Sequence, residues 1–175
     1  MALLAEELVE EWLNRQGYFT IRGVRSGVHE IDLLAVRLTE RGIDCRQLEV
    51  QASVRPMSYV TPLPAAVRKA TGRSSANARV RDEGQIRQGI AEFIAKKFDR
   101  PEKQRIRSQL GPGPWTRELV LHKVKYEHEV ALIREAGILV HRLGEIVAQL
   151  EYGGLLLEGA GGAHLTDLVM LKTDC

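Results

Sequence analysis

The sequence predicts an α/β fold, a sandwich of helices around a mixed β-sheet. Three observations point there. Apolar residues at helical spacing open the chain, three short strand patterns follow in close succession, and a strand–helix–strand alternation comes late. The 175 residues amount to one ordinary domain, 1–175, large enough to bury a core without staples. With 44% apolar and 27% charged residues and only 6 prolines, wholesale disorder, collagen and coiled coil are excluded.

Leu3 to Arg15 reads as an amphipathic helix, because Leu4, Leu8 and Trp12, joined by Val9 and Leu13, share one face. Gly17 stops it. Tyr18 to Arg22 is a short strand, and Arg25-Ser26-Gly27 is turn material. Glu30 to Arg37 is apolar on both sides except at Asp32, as an inner strand would be. Arg41-Gly42 turns the chain into a third strand, Ile43 to Ala52, completing a hairpin.

From about 54 to 82 the sequence reads as a long irregular excursion, rich in proline, glycine and serine, with one helical turn near Ala65 to Ala70. Asp82 to Phe98 is helical, with Ile86, Ile90, Phe93 and Ile94 on its apolar side. Gly111-Pro112-Gly113-Pro114 breaks the chain. Then come a strand (Glu118 to Val124), a helix (Tyr126 to Ala136), a strand (Ile138 to Arg142) and a short helix (Gly144 to Leu150). A C-terminal extension, about 151–175, carries a glycine-rich turn and an apolar segment, Leu165 to Leu171, that the pattern leaves unassigned.

Charge is unevenly spread. Residues 54–109 hold 13 Lys/Arg against 5 Asp/Glu, whereas 1–53 and 110–175 each hold 6 against 9. A basic middle between acidic ends suggests a polyanionic partner, with Arg68, Lys69, Arg73, Arg79 and Arg81 placed to track a phosphate backbone. Nine aromatics in the chain argue against a stacking platform for single strands. Apolar runs such as Ile138 to Val140 and Leu155 to Leu157 fall far short of a membrane span, and the acidic N-terminus lacks the pattern of a signal peptide. Cys45 and Cys175 are too few for a disulfide framework or a zinc site. A soluble, cytoplasmic protein without a membrane partner is the expectation. A homodimer is compatible with it.

Chemistry concentrates in the first third. Asp32 sits inside the apolar run Ile31-Asp32-Leu33-Leu34-Ala35-Val36, where a charge is expensive unless paired or ligating. In Leu48-Glu49-Val50-Gln51, alternation sends Glu49 and Gln51 to one face and Val50 to the other. If the two strands pair, Asp32 and Glu49 meet, and two carboxylates together must share a proton or a cation. A hard divalent ion, Mg²⁺ or Mn²⁺, suits such oxygen donors.

These residues resemble the PD-(D/E)XK nuclease superfamily, in its restriction-endonuclease-like and Holliday-junction-resolvase-like branches. Glu6 on the first helix looks like the family's helical acidic position. Gly27-Val28-His29-Glu30-Ile31-Asp32-Leu33-Leu34-Ala35 is similar to its "G-x-x-E-I-D-L-x-A" strand, and Leu48-Glu49-Val50-Gln51 stands where it carries "E-V-K". The resemblance covers residues 1–53 well and the later elements in order only. It implies a restriction-endonuclease-like sheet and metal-dependent phosphodiester hydrolysis on DNA. Asp32, Glu49 and the Val50 carbonyl would be metal ligands, with Glu6 ligating directly or through water; Glu6, Asp32, Glu49 and Gln51 would form the catalytic set. Two positions depart from the family pattern: the motif proline is missing, and Gln51 replaces the motif lysine, removing a charge from the site. The site is then expected to be slow or silent unless Arg22, Arg25 or a residue of the basic middle supplies that charge. Glu10 is the second choice for the helical acid, Glu7 is expected to face solvent, and Glu30 reads as a salt-bridge partner. Arg22 and Arg25 are candidates for phosphate contact. The competing readings are a catalytically degenerate module that binds nucleic acid and a protein-interaction module.

Overall fold

The computed structural model describes residues 2–162, 164 and 167; the segment Leu165–Leu171, Asp167 apart, and Cys175 lie outside the described residues. The elements run α1 (Ala2–Arg15), β1 (Phe19–Ser26), β2 (His29–Thr39), β3 (Gly42–Gln51), α2 (Ala65–Thr71), α3 (Glu83–Lys97), α4 (Pro101–Leu110), β4 (Trp115–Leu121), α5 (Glu127–Glu135), β5 (Leu139–Arg142) and α6 (Leu143–Tyr152). One five-stranded sheet has the order β1-β2-β3-β4-β5, antiparallel across its first three strands and parallel from β3 to β5.

The side-chain period of two divides the sheet into two faces, each covered by helices. On one face Leu33, Ala35, Leu48, Val50 and Val120 pack with Leu8, Val9 and Trp12 of α1 and Ile146 and Leu150 of α6. On the other, Leu119 and Leu121 pack with Ile86, Ile90 and Phe93 of α3 and Val130 and Ile133 of α5. The α1–β1 turn uses Gly17 at φ +84, a left-handed conformation that glycine enters without steric cost. Asp82 caps α3, accepting a hydrogen bond from the Gln85 N–H at 2.8 Å.

Two differences from the sequence pattern concern polar packing. First, 101–110 form a helix, α4, that no apolar stripe announces, because it turns Lys103 and Arg107 inward rather than apolar side chains. Second, the excursion is anchored by charges. The buried Glu129 accepts from the N–H groups of Val60 (2.6 Å) and Thr61 (3.0 Å) and from the Thr61 hydroxyl. Arg81, expected at a phosphate backbone, is instead buried. Its guanidinium stacks 3.9 Å from the Tyr59 ring centroid and donates to the Thr61 and Asn77 carbonyls. Besides its buried Val60 and Leu63, the segment is held by one buried carboxylate and one buried guanidinium that each bond its backbone.

On the α1 face, β3 and β4 bury a second ionic cluster. Arg46 grips Glu118 with two hydrogen bonds of 2.7 and 2.6 Å, and His141 and Thr116 each reach the same carboxylate at 2.6 Å. Burial pushes the Glu118 carboxyl up, but His141 and Arg46 outweigh it and hold it at about 2, below its ordinary 4.5. A depressed carboxylate contributes stability above the unfolded-state value and loses it as pH falls toward the folded one. Urea unfolding should therefore find about 3 kcal/mol disappearing between roughly pH 4.5 and 2 in the wild type. In Glu118→Gln most of that acid dependence should be gone.

Candidate active site

The register of the β2–β3 hairpin builds the site. Leu33 pairs with Leu48, so Asp32 comes one step beyond the ladder, beside Glu49 and Val50. Its Oδ2 accepts the Val50 backbone N–H at 2.8 Å, which ties the carboxylate to the neighbouring strand. Asp32 and Glu49 share the sheet face that looks toward α3 and α4.

Glu49 is fully buried, and two lysines compensate it. Lys97, the last residue of α3, donates to Oε2 at 2.6 Å, and Lys103 of α4 donates to Oε1 at 2.9 Å. The side chains differ in position: Lys97 is 31% exposed, Lys103 only 3%. Around them the hydrogen bonds close. Gln47 Nε2 donates to Glu49 Oε1 (3.2 Å) and to the Lys97 carbonyl (3.0 Å), Arg107 donates to Gln47 Oε1 (2.6 Å), and Lys103 also donates to the Lys97 carbonyl (2.8 Å). The last carbonyls of a helix have no intrahelical partner, so the inward side chains of β3 and α4 serve here as the C-terminal cap of α3.

The electrostatics record a crowded acidic mouth. Burial and then the neighbouring Asp32 raise the Glu49 carboxyl above its ordinary value, with Lys97 and Lys103 pulling the other way. Glu6 on α1 is raised too, by burial, then by Asp32 and Glu30, with Glu49 adding to the effect. Burial works against the Lys97 ammonium, but Glu49, and behind it Asp32 and Glu30, hold it above the ordinary lysine value. It is therefore a cation at neutral pH.

The sequence candidates distribute unevenly over this geometry. Asp32, Glu49 and the Val50 backbone come together at one strand end, and Glu6 lies within electrostatic reach. Among the described residues no group of three or more His, Cys, Asp or Glu side chains is placed to hold a metal ion, so Glu6 does not close a three-carboxylate cage. The groups that do meet are the carboxylates of Asp32 and Glu49, with the Val50 N–H already donating to Asp32. That suits a hard ion that keeps several waters, and raised carboxyls are groups a cation would relieve. Gln51 lines a cavity beside Lys97. Arg22 is committed to Glu7 (3.1 Å) and Glu10 (3.4 Å), which makes Glu7 a half-buried partner rather than a solvated residue. Arg25 pairs with Glu30 at 3.6 Å. Arg68, Lys69 and Arg79 are exposed, Arg73 is half-buried, and Arg81 belongs to the interior.

Sequence reasoning missed Lys97 and Lys103. The signal for the first is that a Lys96-Lys97 pair ends a helix whose apolar side reaches Phe93; the signal for the second is Pro101, a favoured first residue of a helix. No helix among the described residues is long and apolar enough to cross a membrane. No family model, curated protein or solved structure matches the chain.

Proposed function

We propose that this chain is a metal-dependent phosphodiesterase acting on DNA, built on a restriction-endonuclease-like sheet. The observation that carries the proposal is the meeting of Asp32 and Glu49 on paired strands, with the Lys97 ammonium seated on Glu49. The order of α1, the β1–β3 meander and the later parallel strands agrees with the resemblance, and Lys97 offers the charge that Gln51 lacks. Asp32, Glu49 and the Val50 carbonyl would hold Mg²⁺ or Mn²⁺, with Glu6 reaching it through water. A divalent ion there would polarise the phosphodiester and activate water for attack. The chain's own residues do the rest. Glu49 positions Lys97, whose ammonium would face the charge carried by the non-bridging oxygens as water adds to phosphorus and the bond to the leaving sugar oxygen breaks, and Gln51 would donate a neutral hydrogen bond beside it. Arg68, Lys69, Arg73 and Arg79 would follow the backbone of the bound strand.

Calorimetry with Mn²⁺ tests the site. Binding to the wild type should be lost in both Asp32→Ala and Glu49→Ala; unchanged affinity in both variants removes the metal assignment. The basic surface has its own test. Neutralising Arg68, Lys69 and Arg79 together should weaken binding to all duplex sequences alike and flatten the salt slope by roughly 0.9 per lost phosphate contact. An unaltered slope would detach those residues from DNA.

A second reading has a specific observation behind it. Glu49 is already neutralised by two lysines, as in a buried structural ion cluster, which favours a module that binds nucleic acid without cutting it.

A further inference from the structure

Next to Lys97 the surface opens into a cavity of about 380 Å³ between α3 and the excursion. Gln51 and Lys97 stand at the end shared with the carboxylate site, Arg68 and Lys96 add two more cations, and Val60 and Phe93 form an apolar wall. The walls are held by backbone. The Leu63 N–H donates to the Ser75 carbonyl at 2.9 Å, and the Ala65 N–H donates to Glu92 on α3 at 2.9 Å. At Gly89 the α3 backbone comes so close to the excursion that a Cβ would lie 2.9 Å from the Pro62 carbonyl, a contact only glycine allows.

The lining asks for a particular chemistry. Three cations suit a phosphate, the apolar wall suits the face of a base, and Ser75 and the Glu92 carboxylate suit the amino and ring groups of a base edge. We propose that this cavity receives one unpaired nucleotide of the DNA strand, next to the phosphodiester that the Lys97 ammonium faces. The inference rests on the reading of the chain as a DNA-acting protein and narrows its substrate to DNA with a bulged, mismatched or overhanging nucleotide. A base in a continuous duplex reaches such a pocket only after unstacking and unpairing, which costs least where the base is already unpaired.

The experiment compares two DNAs of equal length in metal-free buffer, a fully paired duplex and the same duplex carrying one bulged 2-aminopurine. Anisotropy should find the bulged DNA bound about tenfold more tightly, and 2-aminopurine emission should change on binding. Ser75→Trp, which fills the cavity from an exposed position, should bring the affinity ratio toward one and abolish the emission change; Pro62→Trp, at a second exposed position of the lining, does the same test if the first variant does not fold. Equal affinity of the wild type for both DNAs, with unaltered emission, overturns the pocket and leaves DNA binding intact. Binding to neither DNA overturns the pocket together with the reading on which it rests.

Discussion

Lys97→Met is expected to slow Mg²⁺-dependent single-turnover cleavage of DNA by on the order of 10²–10³-fold, the loss usual when one preorganised donor is removed from a developing charge. Metal-free DNA affinity should change little, because one cation among several exposed ones contributes only a small part of the ground-state attraction. Gln51 is uncharged, and the structure offers a lysine from elsewhere in the chain, delivered from the end of α3 to Glu49 at 2.6 Å. Its partial exposure matters: an ammonium facing both the carboxylate and the open cavity can meet a phosphate without breaking the core. Lys97→Arg should recover part of the rate, since it keeps the charge, and Gln51→Lys in the Lys97→Met background should recover part as well. A Lys97→Met variant that cuts at the wild-type rate would make the Lys97–Glu49 contact structural only.

Lys103→Met is expected to act on stability instead, costing about 3 kcal/mol in urea unfolding. Removing one partner of a buried ion pair leaves the other charge without compensation. Lys103 is almost wholly buried and is the shortest donor to both Glu49 Oε1 and the C-terminal carbonyl of α3, so its loss leaves those two acceptors to the Gln47 amide alone and half of the compensation of Glu49 to Lys97. In the Glu49→Gln background the same substitution should cost markedly less, because the stranded charge is gone; equal costs in both backgrounds would show that the two side chains are not coupled. The two lysines on one carboxylate differ in exposure, and the two substitutions are expected to separate accordingly, Lys97→Met in rate and Lys103→Met in stability.

What the sequence made legible follows from which interactions leave a pattern. The α1, β2 and β3 elements were readable because Leu8, Val9, Trp12, Leu33, Ala35, Leu48 and Val50 bury one apolar face at helix or strand spacing. Asp32 and Glu49 stood out because carboxylates are costly beside such residues, and the hairpin register brings them to the same strand end. The α4 helix left no such trace: its inward positions, Lys103 and Arg107, are charged, and the partners that justify them, Glu49 and Gln47, lie more than fifty residues earlier in the chain. Arg81 failed for the same reason. A cation in a proline-rich stretch looks solvated until Tyr59 and the Thr61 carbonyl are found folded around it. Strand ends shifted where backbone pairing outruns the apolar pattern: β1 continues to Ser26 through polar Arg22, Arg25 and Ser26, and β4 begins at Trp115 rather than Glu118.

On the proposed function, Asp32 and Glu49 hold a divalent ion that activates water against DNA with the help of Lys97. The most direct test of that function is single-turnover digestion of linear, nicked, bulged and four-way-junction DNA by the wild type, with and without Mg²⁺ or Mn²⁺, alongside Asp32→Asn. At least one of these DNAs should be cut, in a reaction that requires the metal and is absent in Asp32→Asn. Wild-type protein that binds both Mn²⁺ and DNA yet leaves every substrate intact would contradict the proposed function and leave the non-cutting module in its place.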